Sequence, residues 1–414
     1  MPIIEKEHLS KLLEIYRAET YAKDGDALFS KTKFGFTMHN ANLVTICSFH
    51  TYQKLLENPT LIKDKVYLQL LDKFDLRYEE GASDYFSKHM ETVHALYHAF
   101  LYLDYEKIYH LCEALLKPLS SDIVFENEYR LLLEAVQDFH HMSEKIDIDI
   151  LEHFLHVSFL FPDELQIMLY DLCFRSYYKY HLDMKACGKV LEEVQRRNLT
   201  SLVLDIDLLI YDTSTVSIPK HIYQINALLD DLLKNENYNR SFDVYVMKLN
   251  YVHENNEDDS EIYQEVEQMI KTKPVHPKKK FAWLINTIIH SFDHKEYDKV
   301  IQLFEDNFLQ TKVPIIAVLL YYSASNITKH PFQIISQCAI MENASLLYVD
   351  LKTYFEYDLP IYQRERRLFS FFKEISYDNS ILNQIIYNEF ALYYKQFSKG
   401  TLLRFIEEII KRKL

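Results

Sequence analysis

Within seven residues, Ser48, His50, Thr51, Gln53 and Lys54 set two hydroxyls, an imidazole, an amide and an ammonium close together. Groups of these types suit recognition of polar edges. Ser48 is placed to cap a short helix, its hydroxyl meeting the orphan amides of the first turn. His50, Gln53 and Lys54 then project from the outer face of that helix. Phe49, Tyr52 and Leu56, at three- and four-residue spacing, turn inward. A helix fronted by polar side chains is what a DNA major groove accepts, with residues near its start reaching base edges.

Other constellations are weaker. His94 and His98 lie one turn apart on one helix face, as a zinc pair would, but zinc needs a third ligand and an ordered outer shell. The sequence contains no H-E-x-x-H, and His140/His141 and His153/His156 lack partner spacing. No metal and no cofactor are expected. Nucleophilic catalysis lacks a G-x-S-x-G elbow, and Cys47 reads as a small buried hydrophobe beside the cap. The many carboxylates, set among charged neighbours on helices, read as solvated faces. The expectation is a protein that is not an enzyme.

Composition narrows the fold. Only 5 glycines and 10 prolines occur in 414 residues, too few for the turns of a large sheet, so an all-α chain is the economical reading. Neither G-x-G-x-x-G nor G-x-x-x-x-G-K is present, which removes the common nucleotide-binding folds. The net charge of −15 disfavours general nucleic-acid binding. Residues 1 to 80 hold 11 Lys/Arg and 12 Asp/Glu, so DNA contact is confined to the near-neutral N-terminal part and would lean on dimerisation. The five cysteines form no C-x-x-C pair and no cleavable leader precedes Ser10, which together point to a reducing cytoplasm. The apolar run Val313 to Ala324 is too short to span a bilayer and reads as a buried helix.

Past Gly81 the chain settles into amphipathic segments of 12 to 20 residues parted by short polar breaks, the pattern of stacked helical hairpins. The expected helices include 84–103, 105–116, 123–144, 162–180, 183–197, 239–255, 260–271 and 279–292. Pro162, Pro219, Pro314 and Pro331 fall at expected helix starts. The acidic stretch Glu254 to Asp259 and the stretch Thr272 to Lys280 are the clearest breaks. They read as solvated loops, or as a hinge parting two lobes near 254–280. In the second half, Asn250, Asn286, Tyr322 and Asn326 offer amides and an amphipathic ring on helices expected to line a concave face. An amide side chain bonds both N–H and C=O of an extended peptide, so these four are the candidate peptide-binding residues.

Two resemblances follow from quoted residues. Ile46, Cys47, Ser48, Thr51, Tyr52, Lys54, Glu57 and Asn58 resemble the "ICS-x-x-TYSKIE-N-G" run of Cro/repressor-type helix-turn-helix domains from low-GC Gram-positive bacteria. Here Leu55-Leu56 adds one residue before Glu57, and Pro59 stands where that pattern has glycine. Leu103-Asp104-Tyr105-Glu106-Lys107-Ile108 and Lys295-Glu296-Tyr297-Asp298-Lys299-Val300 resemble the turn into the second helix of a tetratricopeptide repeat, without a fixed 34-residue register. The expected domains are a helix-turn-helix over 1–80 and a degenerate tetratricopeptide-like superhelix over 84–414. Together they resemble the peptide-pheromone-responsive regulators of Gram-positive bacteria and their phages. The resemblance implies a cytoplasmic homodimer that holds a double-stranded DNA operator through its N-terminal helices and a short signalling peptide, or a partner protein, in its repeats. No membrane contact is implied. The alternative is a protein-protein adaptor whose helix-turn-helix is a relic.

Overall fold

The fold is taken from a computed structural model that describes residues 1–24, 29–32, 35–38, 47–141, 145–215, 221–255, 257–307, 314–327, 354, 359–374 and 380–413. The chain is helical throughout these segments, apart from one two-stranded antiparallel ribbon, and falls into two compact units, Met1–His276 and Pro277–Leu414.

The first unit starts with α1 (Ile3–Asp24), the ribbon β1 (Phe29–Thr32) and β2 (Gly35–Met38), α2 (Phe49–Glu57) and α3 (Asp64–Leu71). Leu9, Leu12, Leu13 and Tyr16, at helical spacing, bury one stripe of α1. The opposite end of α1 is tied down by charge: Lys6 Nζ lies 2.7 Å from Asp64 and donates to the Ile62 carbonyl at 2.9 Å. Glu5 is buried, accepting from Ser83 at 2.6 Å and from the Tyr78 hydroxyl. The N-terminal elements therefore belong to the same compact unit as the helices that follow.

After α4 (Tyr85–Lys88) come α5 (Met90–Leu101), α6 (Tyr105–Leu116), α7 (Val124–His141), α8 (Ile148–Val157), α9 (Asp163–Ser176), α10 (Met184–Arg196), α11 (Leu202–Thr215), α12 (Ile222–Lys234), α13 (Tyr238–Glu254) and α14 (Ser260–Thr272). The segment expected as one helix over 84–103 breaks at His89, whose ring pairs with the Tyr85 carbonyl at 2.8 Å. The centre of the unit is α9, packed against α5, α7, α8, α10 and α11. Every residue from Leu165 to Phe174 is buried, so this helix is apolar all round except for Gln166 and Asp171. Burial of each large side chain in that run contributes ~1.5–3 kcal/mol.

Glycine-poor turns join the hairpins in a repeated way. Leu103, Leu182, Asn198, Glu236 and Lys295 all adopt the left-handed region, with φ of 49°, 53°, 55°, 56° and 61°. At Leu103 the Asp104 amide reaches the Ala99 carbonyl at 2.9 Å, and the Leu103 amide reaches Phe100 at 3.1 Å. The same double bond pattern recurs at Glu236 and Lys295 and satisfies carbonyls that a helix end leaves open. The next residue often caps the following helix: Asp104, Asp183 and Asn237 accept from Lys107, Ala186 and Arg240 amides. A side-chain staple closes a longer gap. From α13, Arg240, Asn237 and Asn239 donate to the Phe100, Leu101 and Tyr102 carbonyls at 2.9, 2.9 and 3.1 Å, capping α5 from 136 to 140 residues away.

The second unit holds α15 (Pro277–Asp293), α16 (Tyr297–Asn307), α17 (Pro314–Ile327), α18 (Ile361–Glu374), α19 (Ser380–Tyr393) and α20 (Lys399–Lys413). Its core gathers Ile288, Phe292, Val300, Phe304, Leu320 and Phe405. The apolar run expected to be a buried helix is α17, with Leu319, Leu320 and Ala324 inside. Among the described residues no helix is long and apolar enough to cross a membrane. Pro162 and Pro314 stand at the starts of α9 and α17, whereas Pro219 and Pro331 lie outside the described residues.

Candidate functional site

Two places in the first unit combine exposure with recognition chemistry, and an ionic clamp ties α1, which backs the first, to α7 and α8. The first is α2. Ser48 has extended backbone, φ −73° and ψ 158°, and its hydroxyl accepts from the Thr51 amide at 3.2 Å. Thr51 Oγ1 sits 3.0 Å from the same oxygen, so the two hydroxyls occupy each other. His50, Gln53 and Lys54 are exposed on the outer face, none with a side-chain hydrogen bond or ion pair among the described residues. Inward, Tyr52 and Leu55 are buried, and the Tyr52 hydroxyl donates to Glu14 on α1. Leu56 departs from expectation. It is 39 % exposed, because the residue added before Glu57 gives the inward position to Leu55, one turn after Tyr52.

The second place is a cavity of about 530 Å³ between α9, α11 and α13. That size lies in the ordinary range of ligand pockets, ~300–1,000 Å³. Its charged lining is Arg175 and Asp243, paired at 3.0 Å, with Tyr178, Thr213, Asn250 and His253 around them. Tyr178 rides on a π-helical turn, Tyr177–His181, that continues α9; such turns recur where a helix is bent to serve a site.

Behind Arg175 lies a buried ionic network. Its Nε donates to Asp207 at 2.8 Å and sits 3.3 Å from Asp171, while Arg240 approaches Asp171 at 3.6 Å. Burial first, then the neighbouring Asp171 charge, pushes the Asp207 carboxyl well above its ordinary range. Burial works against the Arg175 charge, but Asp207, Asp243 and Asp171 outweigh it and hold the guanidinium protonated. Arg175 Nη2, Arg240 Nε, Asp171 Oδ1 and Asp207 Oδ2 are buried without a hydrogen-bond partner among the described residues. Asp171 and Asp207 thus correct the reading of helical carboxylates as solvated faces.

The clamp is His153 on α8. Its Nδ1 lies 2.9 Å from Glu19 of α1 and its Nε2 lies 2.6 Å from Glu128 of α7. Glu128 also accepts from Tyr16 at 2.5 Å. Burial lowers the imidazole's proton affinity, but the hydrogen bonds and charges of Glu128 and Glu19 overcome it and raise its pKa to about 10. Glu19 shows the reciprocal effect: against burial, His153 and His156 hold its carboxyl at about 2. At neutral pH the ring is an imidazolium donating from both nitrogens.

The four candidate peptide residues separate. Asn250 lines the cavity of the first unit and is exposed. Asn286, Tyr322 and Asn326 belong to the second unit. Asn286 is half-buried on α15, and Asn326 is exposed with its amide donating to the Tyr322 carbonyl at 2.8 Å. Tyr322 differs from expectation: at 2 % exposure it is a core residue, its ring 5.5 Å from Phe292 and 6.0 Å from Tyr297. Arg175 and Asp243 were not singled out by sequence, and His153 was weighed only with His156 as a metal pair and set aside. The one available signal was the i, i+4 Asp171/Arg175 pair inside an otherwise apolar helix. No protein-family model, curated protein or solved structure matches this chain.

Proposed function

We propose that this chain is a transcriptional regulator, active as a homodimer, that holds operator DNA through α2 and is controlled by a peptide or protein ligand. The observation that carries this reading is α2 itself: a capped, exposed helix whose outer face offers His50, Gln53 and Lys54 with their donors uncommitted. Its orientation is fixed from behind by Tyr52 on Glu14, and α1 is in turn clamped to α7 and α8 through His153. The Asn250 cavity supplies a ligand place in the same unit. Retention of genomic fragments by the purified protein, at low and moderate salt, tests the reading. A discrete site that persists as salt rises supports it. Replacing Gln53 and Lys54 together with alanine should lower operator binding about 100-fold, a base contact plus a phosphate contact, with helicity unchanged. Unaltered binding removes α2 from that role.

One observation favours a second reading, an adaptor with a relic helix-turn-helix. The exposed face of α2 carries a single cation, and a 3-10 turn beginning at Pro59 follows it directly. Under that reading no genomic site is enriched, and a partner protein is retained instead.

A further inference from the structure

A groove of about 940 Å³ runs between α1 and the end of α2 on one side and α8 and α10 on the other. Its charges do not balance in the sense of the whole chain. Glu14 is taken by Arg17 at 2.5 Å, and Glu193 by Arg196 at 2.6 Å. Lys11 and Lys189 are exposed with no carboxylate within ion-pair reach among the described residues. Arg197 spends two donors on neutral oxygens, Gln166 at 3.0 Å and Ser158 at 2.9 Å, and stands 3.8 Å from the already shared Glu193. Its Nε is buried without a hydrogen bond among the described residues. Three cations thus face one uncommitted carboxylate, Glu192, inside a chain of net charge −15. Apolar surface lies between them: Leu56, 39 % exposed, with Ile15 and Phe159, the last under the Lys11 ammonium at 5.0 Å.

We propose that this groove is the docking site of an acidic amphipathic peptide segment of a partner protein, its carboxylates on Lys11, Lys189 and Arg197 and its apolar side chains on Leu56 and Phe159. Charge complementarity selects the sign of the partner. The apolar floor, and the glutamates at its α10 edge, favour a peptide over a nucleic-acid backbone, which carries phosphate along its whole length. The proposal stands whether or not α2 reads DNA. An occupant would touch α1, α2 and α10 at once, and so would bear on the placement of α2.

The test uses the full-length protein and three fluorescein-labelled probes read by anisotropy: a peptide of about twelve residues built from Glu and Leu, about 18 Å long as a helix, its Lys/Leu counterpart, and a short duplex DNA. The acidic peptide should bind saturably and weaken with salt. Lys11→Glu with Lys189→Glu should weaken it at least about tenfold, because two attractions become repulsions. Lys185→Glu, exposed on α10 outside the groove, should leave binding unchanged. Circular dichroism confirms that each variant is folded. Absence of binding by the acidic peptide overturns the proposal, as does equal binding of the basic peptide or indifference to the double reversal. Tighter binding of duplex DNA, lost in the same double variant, also overturns it and makes the groove a phosphate-contacting face.

Discussion

Replacing His153 with glutamine tests the clamp that ties α1 to α7 and α8. The imidazolium lies between Glu19 and Glu128, the latter with no exposed side-chain surface. Raising its pKa from the ordinary 6.5 to about 10 corresponds to at most ~5 kcal/mol of stabilisation. Glu19 is 32 % exposed, so solvent screens part of this, and glutamine can retain one hydrogen bond. The expected loss at neutral pH is therefore about 3 kcal/mol, the low end for breaking a buried pair and leaving a carboxylate behind. The pH dependence carries a sign. Because the folded-state pKa is raised, the contribution is complete below pH 6.5 and is lost as pH climbs through about 10. Wild type should thus lose stability steadily over that window, at up to ~1.4 kcal/mol per pH unit from this residue alone. His153→Gln should lack that slope. Urea titrations followed by far-ultraviolet circular dichroism, at several pH values across the window, measure both effects. A variant within about 0.5 kcal/mol of wild type, or one with the same slope between pH 6.5 and 10, would refute the imidazolium clamp.

Other perturbations separate parts of the argument. Ser48→Ala removes the cap of α2 and should cost about 1 kcal/mol, seen as a lower melting temperature; Ser48→Gly should cost only a few tenths. Asp207→Asn keeps the oxygen that accepts from Arg175 while discarding a buried acid whose pKa is raised. Stability stored in that acid is present near pH 3.8 and lost as pH rises through the raised value, so the variant should equal or exceed wild type at pH 7 in thermal denaturation. Arg175→Met, by contrast, removes the guanidinium that pairs with Asp207 and Asp243 and should lower stability by about 3–5 kcal/mol. If both variants behave alike, the charge assignment of the network is wrong.

Much of the helical layout was legible because amphipathic period and capping chemistry are local. The expected 105–116 coincides with α6, and 260–271 stops one residue short of α14. Ser48 caps α2 as its hydroxyl and position foretell. The ribbon at Phe29–Met38 was not foreseen, since Ser30, Lys31 and Thr37 give no run of alternating apolar residues. The site chemistry was least legible. His153 meets carboxylates 134 and 25 residues away, and Arg175 meets Asp207 and Asp243 across 32 and 68. No spacing rule spans such distances, and a charged side chain on a helix looks the same in sequence whether it faces water or an oppositely charged neighbour. Tyr322 illustrates the reverse error, an amphipathic ring whose apolar body decided its place.

The fused turns at Leu103 and Glu236 have a consequence for how this chain tolerates change in length. In each, one residue leaves the finished helix in the left-handed conformation and the next already caps its successor, so no residue is spare. An inserted or deleted residue cannot be taken up as slack. It would turn the following helix by about 100° about its axis, carrying Ile108 and Cys112, or Tyr245 and Leu249, out of the interior. These joints therefore act as fixed gears rather than hinges: they can wear by substitution, but not by the gain or loss of a tooth.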